Sequence, residues 1–253
     1  MCHDINALPA VVPISGAAVD SEDLVLESAD GTKFAAFLAR AGESAGPGVV
    51  VLPDVRGLFR FYEELALRFA EEGINSVAID YFGRTAGVDK RGEDFPFMEH
   101  VAQTKAPQIA ADAGAAISHL RSPDGGSCSS VFTVGFCFGG GNSWMQAAAG
   151  HGLSGVMGFY GRPGPGRDGS PGPAASAGSF EAPVLALMGG ADQGIPKEQV
   201  DDYEAALEAA GVDHEIVTYE GAPHSFFDRS YEEHAETAAD AWKRVLAFIA
   251  SHK

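Results

Sequence analysis

An apolar run, Val131-Phe132-Thr133-Val134, leads into Gly135-Phe136-Cys137-Phe138-Gly139-Gly140-Gly141. A strand passing through Gly-x-Cys-x-Gly into a helix is the pattern of a nucleophile elbow, with cysteine where serine is more often found. Such a turn is sharp. Side chains at 135 and 139 would collide with the neighbouring strand and helix, which explains glycine at both. The elbow would lift the thiol above the sheet at a helix N-terminus. There the helix dipole and unsatisfied N–H groups favour a thiolate and a developing oxyanion. Read alone, the segment fits equally a buried cysteine in a Gly-rich strand–helix turn. It is not a phosphate-binding loop, because no Gly-Lys-Ser/Thr follows and Gly-x-Gly-x-x-Gly is absent here.

Two later segments add an acid and a base. Val184 to Ala191 reads as a strand with its exit turn, and Asp192 stands at its C-terminal end. Glu220-Gly221-Ala222-Pro223-His224-Ser225-Phe226 puts a histidine in the loop after the next strand. Separately, Asp192 would read as a helix cap ahead of Pro196, and His224 as a loop histidine. Together, Cys137, Asp192 and His224 follow the chain order nucleophile, acid, base of an α/β-hydrolase. Each lies just past a strand, on the edge where open α/β sheets hold their sites.

The elements that must position these residues alternate. Apolar strands are expected at 24–28 and 33–38 around the turn Asp30-Gly31, then at 48–52, 74–81, 131–134, 153–160, 184–188 and 215–219. Helices are expected at 62–72, 108–120, after the Gly-rich turn that follows 131–134 and through 149, at 200–210 and at 234–249. Alternation of this kind gives the α/β class: a mostly parallel central sheet, helices on both faces, and the opening hairpin as an antiparallel N-terminal edge. Residues 1–20 show no periodicity and read as an arm, and 21–253 as a single domain. The Gly-, Pro-, Ala- and Ser-rich stretch 162–179 is an excursion loop within that domain.

Composition excludes several classes of function. The chain has 253 residues, with 17 Lys plus Arg against 35 Asp plus Glu, a formal net charge of −18. Lys and Arg are nowhere concentrated as a phosphate backbone or an anionic lipid surface would require, so neither nucleic acid nor membrane is expected as a partner. No stretch approaches the roughly 18 consecutive apolar residues of a membrane span. The start, Met1-Cys2-His3-Asp4, lacks the basic and apolar regions of a signal peptide, so the expected location is the cytoplasm. Adjacent Cys2, His3 and Asp4 on a flexible end make a poor metal site, and the remaining histidines lack ligand spacing. No metal or cofactor is expected. Trp144, Met145 and Cys128 read as packing residues.

At the level of motifs the chain resembles the dienelactone hydrolase family (carboxymethylenebutenolidases), from about residue 21 to the C-terminus. The resemblance is carried by Leu52-Pro53-Asp54-Val55-Arg56-Gly57, Ala78-Ile79-Asp80-Tyr81-Phe82-Gly83-Arg84, Gly135 to Gly140, Met188-Gly189-Gly190-Ala191-Asp192 and Gly221 to Phe226. It implies an α/β-hydrolase that cleaves a lactone or small carboxylic ester. Cys137 would attack the carbonyl, His224 would move the proton, Asp192 would orient His224, and the N–H groups of Val55 and Phe138 would form the oxyanion hole. The family carries a Glu after the third strand that restrains the resting thiol. Asp54 stands there, one methylene shorter, and either takes over that role or caps the following turn. One substrate-holding arginine of the family maps to Asp228, with Arg229 next to it. For the other, Arg84 and Arg91 are the candidates. Tyr160 matches a position lining the site.

The expected partner is thus a small ester or lactone, neutral or anionic, and the expected state a monomer or weak homo-oligomer. Two other readings stay open. One is a broad esterase or thioesterase of the same fold. The other is a non-catalytic module that senses through the Cys137 thiol.

Overall fold

The computed structural model describes residues 7–15, 17, 19–42, 45–166 and 169–253. The Cys2-His3-Asp4 cluster lies outside them. Eight strands form one sheet in the order β1-β2-β4-β3-β5-β6-β7-β8. The strands are β1 (Val19–Glu27), β2 (Lys33–Ala41), β3 (Gly48–Leu52), β4 (Asn75–Ile79), β5 (Val131–Phe136), β6 (Gly155–Phe159), β7 (Val184–Gly189) and β8 (His214–Tyr219). β1 and β2 form the expected hairpin, running from Val19 opposite Ala41 to Glu27 opposite Lys33, and β2 pairs antiparallel with β4. All the other pairings are parallel.

Strands β3 to β7 are buried along their whole length, which is why they read as continuous apolar runs rather than as alternation. The helices are α1 (Arg60–Glu71), α2 (Gly83–Ala86), α3 (Phe97–Val101), α4 (Ala106–Arg121), α5 (Phe138–Met145), α6 (Pro173–Ser176), α7 (Lys197–Ala210) and α8 (Ala235–His252). α1 buries Phe61, Tyr62, Leu65, Ala66, Phe69 and Ala70, a stripe at helical spacing. It packs with α8 against the sheet face formed by Val49, Val51, Val134 and Met157. α4 covers Val50, Leu52 and Val77 on the opposite face. Trp144 of α5 and Tyr203 of α7 cover Val156 and Ala186 on that same face. Strand alternation thus supplies both faces from the same short segments.

Three details differ from the sequence expectation. β1 begins at Val19, inside the segment read as an arm, and Ala10 and Val11 pack against the α1–α8 side of the core. The helix after the elbow ends at Met145 and continues as a single 3₁₀ turn, Gln146–Ala148. The 162–179 excursion closes with α6, which begins at Pro173, and a second 3₁₀ turn, Ala177–Ser179.

The strand order sets the position of the site. From β3 the chain moves one way to β4, then returns across β3 to β5 and continues outward to β8. The connections at the C-terminal ends of β3 and β5 therefore diverge and leave a crevice between them. Leu52 of β3 pairs with Gly135 of β5, so the segments starting at Pro53 and Cys137 leave the sheet side by side.

Candidate active site

Cys137 stands at the end of β5 as the N-cap of α5, with φ 55° and ψ −111°. That is a strained conformation for a residue with a Cβ, costing about 1–3 kcal/mol, and close packing enforces it. A Cβ on Gly135 would lie 1.9 Å from the Gly139 carbonyl oxygen, and one on Gly139 would lie 2.1 Å from the Leu52 oxygen. The elbow therefore touches α5 and the end of β3 through backbone alone, as the glycine spacing implied. The Cys137 N–H donates to the Phe159 carbonyl at 3.0 Å, which fixes the turn to β6. Phe138 is the first residue of α5, so its N–H has no acceptor within the helix.

Asp192 and His224 meet beside this turn. His224 Nδ1 lies 2.6 Å from Asp192 Oδ2, and the Gly194 N–H donates to Asp192 Oδ1 at 2.8 Å. The Cys137 side chain lies within electrostatic reach of His224, and the two line one cavity. Burial works against charge on His224. The hydrogen bond to Asp192, the nearby Cys137 side chain and the negative charge of both outweigh it, and lift the imidazole to about 10. Asp192 loses solvation by burial as well, but its bond to His224 and the N–H donors of its loop hold it below the usual carboxylate value. Two β-strand ends and one loop thus bring together the three residues singled out in the sequence.

Tyr160, just past β6, is fully buried with φ 37°. Its ring centre lies 4.9 Å from that of His224, and its hydroxyl donates to Asp228 Oδ2 at 2.8 Å. Asp228 is 4% exposed. Burial pushes its carboxyl up to about 6; the Arg229 N–H and the Tyr160 and Ser225 hydroxyls oppose this, while the charge of Asp54 reinforces it. Ser225, next to His224, also has positive φ, 63°. Backbone strain thus gathers around the thiol and imidazole, as expected where a site is held against local preference.

The remaining expected residues fall into two groups. Val55 and Phe138 both pack on the α4 side of the core, where the β3–α1 turn meets the start of α5. Asp54 caps its own turn: Oδ1 accepts the Arg56 N–H at 2.8 Å, and Oδ2 pairs with the Arg56 guanidinium at 3.1 Å. Of the two sequence alternatives for Asp54, this geometry is the turn cap. The arginines are elsewhere. Arg84 is held by Asp112 at 2.7 Å and Asp30 at 2.9 Å, away from the thiol. Arg91 pairs with Asp80 at 2.7 Å and lies over the Phe95 ring. Arg229 is exposed and does not line the cavity that contains Cys137.

That cavity holds about 430 Å³ and is lined by Cys137, His224, Tyr160 and Phe138, with walls from α4, α5 and the loop after β6. Sequence reasoning missed Arg162, an exposed residue of that loop at the cavity's edge, whose Nη2 donates to the Gly194 carbonyl at 3.4 Å. Its place directly after Tyr160-Gly161 was the available signal. It also missed two buried tyrosines that pin the Pro53–Asp54 turn. The Tyr81 hydroxyl donates to the Pro53 carbonyl at 2.8 Å, and the Tyr62 oxygen accepts the Asp54 N–H at 3.0 Å. No local pattern marks them, because both bonds join residues from different elements. Among the described residues no cluster of His, Cys, Asp and Glu has the geometry to hold a metal ion.

The model of the dienelactone hydrolase family matches residues 34–253. The chain belongs to the dienelactone hydrolase family. A Salmonella typhimurium relative, provisionally named a carboxymethylenebutenolidase, is 30% identical over 263 aligned positions, covering 99% of this chain and 97% of its own. An Escherichia coli O157:H7 relative of the same provisional name is 31% identical over 256 positions, covering 95% and 93%. The crystal structure of a Klebsiella pneumoniae protein, provisionally described as a dienelactone hydrolase, superposes with a TM-score of 0.82 at 29% identity, covering 92% of this chain and 99% of that one. As a member of this family the protein has the α/β-hydrolase fold and is a carboxylic ester hydrolase. Among the described residues no helix is long and apolar enough to cross a membrane.

Proposed function

We propose that this protein hydrolyses a lactone or small carboxylic ester through Cys137, His224 and Asp192, with an acyl-enzyme intermediate on Cys137. The observation that carries the reading is His224, bonded to Asp192 at 2.6 Å, standing with Cys137 on the wall of a cavity large enough for a small ester.

In the first step the Cys137 sulfur attacks the ester carbonyl carbon, and the carbonyl oxygen becomes an oxyanion. The N–H groups of Phe138 and Val55 receive it, helped by the N-terminal end of α5. The tetrahedral carbon then expels the alkoxide, which takes the proton held by the His224 imidazolium; in a lactone this leaving group stays tethered to the acyl chain. In the second step His224, now neutral, removes a proton from water, and the resulting hydroxide attacks the thioester carbonyl. Collapse releases the carboxylic acid and returns the sulfur as thiolate beside protonated His224. Asp192 holds the imidazole with Nε2 toward the reacting atoms and stabilises its charge throughout.

The test compares wild type with Cys137→Ala. Ester turnover should disappear in the variant, and acid quench of the wild type during turnover should trap an acyl adduct on Cys137 by mass spectrometry. Stoichiometric acylation without turnover would instead favour the thiol-sensing reading.

A further inference from the structure

We infer that the cavity selects esters whose acyl group is uncharged and apolar, and discriminates against acyl groups carrying a carboxylate; this rests on the hydrolase reading above. Four observations carry it. First, Ile109, Phe138, Met145 and Ile195 wall the space in front of Cys137, together with prolines of the loop after β6. Methylene groups gain by leaving water for such walls, whereas a carboxylate would give up its hydration with nothing equivalent in return.

Second, the arginines that the family resemblance offered for a carboxylate are not in place to receive one. Arg84 is bonded to Asp30 and Asp112, and Arg229 does not line the cavity. Third, the position implied for a substrate-holding arginine is occupied by Asp228, whose carboxylate bonds the cavity-lining Tyr160. Asp228 thus places a buried carboxylate directly behind Tyr160. Like charge at that depth repels an anionic acyl group with little screening, because solvent is largely excluded. Fourth, Arg162 is the one Lys or Arg among the described residues lining the cavity, and it is exposed at the edge. A solvated cation there is too well screened to offset the buried Asp228.

The experiment uses a pair of esters matched in length. Methyl pentanoate and monomethyl glutarate differ at the far end of the acyl chain, methyl against carboxylate. For the full-length wild type at pH 7.5, kcat/KM for methyl pentanoate should exceed that for monomethyl glutarate by about 100-fold. A preference below tenfold, or for the glutarate ester, overturns the inference. A second measurement does not depend on turnover: protection of Cys137 from iodoacetamide by 2-hexanone and by 5-oxohexanoate, which differ in the same way. Protection by the ketone at a concentration at least tenfold lower is expected. Equal protection, stronger protection by the oxo acid, or protection by neither overturns it. If neither ester is hydrolysed while the ketone still protects selectively, the hydrolytic reading fails and the selectivity stands.

Discussion

His224 owes its character to Asp192, which it bonds at 2.6 Å, and to the nearby Cys137. Asp192 and Cys137 together hold the imidazole at about 10, so the charged form persists across the neutral range. The sign follows from linkage. Relative to an unfolded histidine, the stabilisation is fully present below about pH 6.5 and is lost as pH rises through the folded value. Cys137 should therefore be alkylated by iodoacetamide at pH 6 at least tenfold faster than Cys128, whose burial pushes its thiol up. Peptide mapping after timed alkylation reads both rates, and equal rates would count against Cys137 as the nucleophile. Asp228 shows the opposite sign. Its carboxyl is raised to about 6 in the fold, so the folded state takes up a proton more readily than the unfolded one as pH falls. Between pH 7 and pH 5 the wild type should gain about 1 kcal/mol of stability relative to Asp228→Asn, measured by urea unfolding at both pH values. A constant difference would show that Asp228 does not titrate as the geometry requires. At this scale the sequence was legible where chemistry is tied to local motif, as for Cys137, Asp192 and His224. It was opaque for the arginines, because side chains of that length choose partners by what the tertiary fold brings near. Arg84 found Asp112, which is far from it in sequence, and no spacing rule foretells such a pair.

The element that most depends on long-range contacts is the turn after β3. It must hold the Val55 N–H beside the start of α5, yet within itself it has only the Asp54 cap and the bond from the Gly57 N–H to the Asp54 carbonyl at 3.2 Å. Tyr81 from beyond β4 and Tyr62 from α1 secure it from two directions. Asp80 adds a third tie: one carboxylate accepts the Leu58 N–H at 3.0 Å and the Phe82 N–H at 2.9 Å, joining the turns after β3 and β4. Tyr81→Phe leaves the buried Pro53 carbonyl without its donor, at a cost of about 1–2 kcal/mol in stability. Because that carbonyl precedes Val55, whose N–H is proposed to bind the oxyanion, by two positions, kcat should fall about tenfold while KM changes less than threefold. Steady-state kinetics alongside thermal unfolding would separate the two effects, and a variant destabilised but unchanged in kcat would remove the turn from the mechanism. The strands and long helices were legible to within a few residues, since burial on both sheet faces demands apolar runs and helical stripes. The short helices α2, α3 and α6 were not, because four or five residues carry no period and owe their shape to packing against larger elements.

The whole molecule converts chain order into spatial order. Residues 137, 192 and 224 are far apart in sequence, but the parallel strands β5 and β7 and the loop after β8 emerge on one edge of one sheet. Reversal of strand order between β3 and β5 opens the crevice there, so the cavity arises from topology before any side chain is chosen. Side chains then decide what enters it. The chain's net charge of −18 and the buried Asp228 point the same way as the apolar walls, toward small uncharged esters. The account rests on one sulfur atom doing the chemistry. The most direct measurement is hydrolysis of a neutral methyl ester by wild type and by Cys137→Ala, with folding of both verified by circular dichroism. Removal of the thiol should lower kcat/KM by about 1,000-fold or more, and the wild type should carry an acyl adduct on Cys137. Activity retained by a folded Cys137→Ala variant would contradict it.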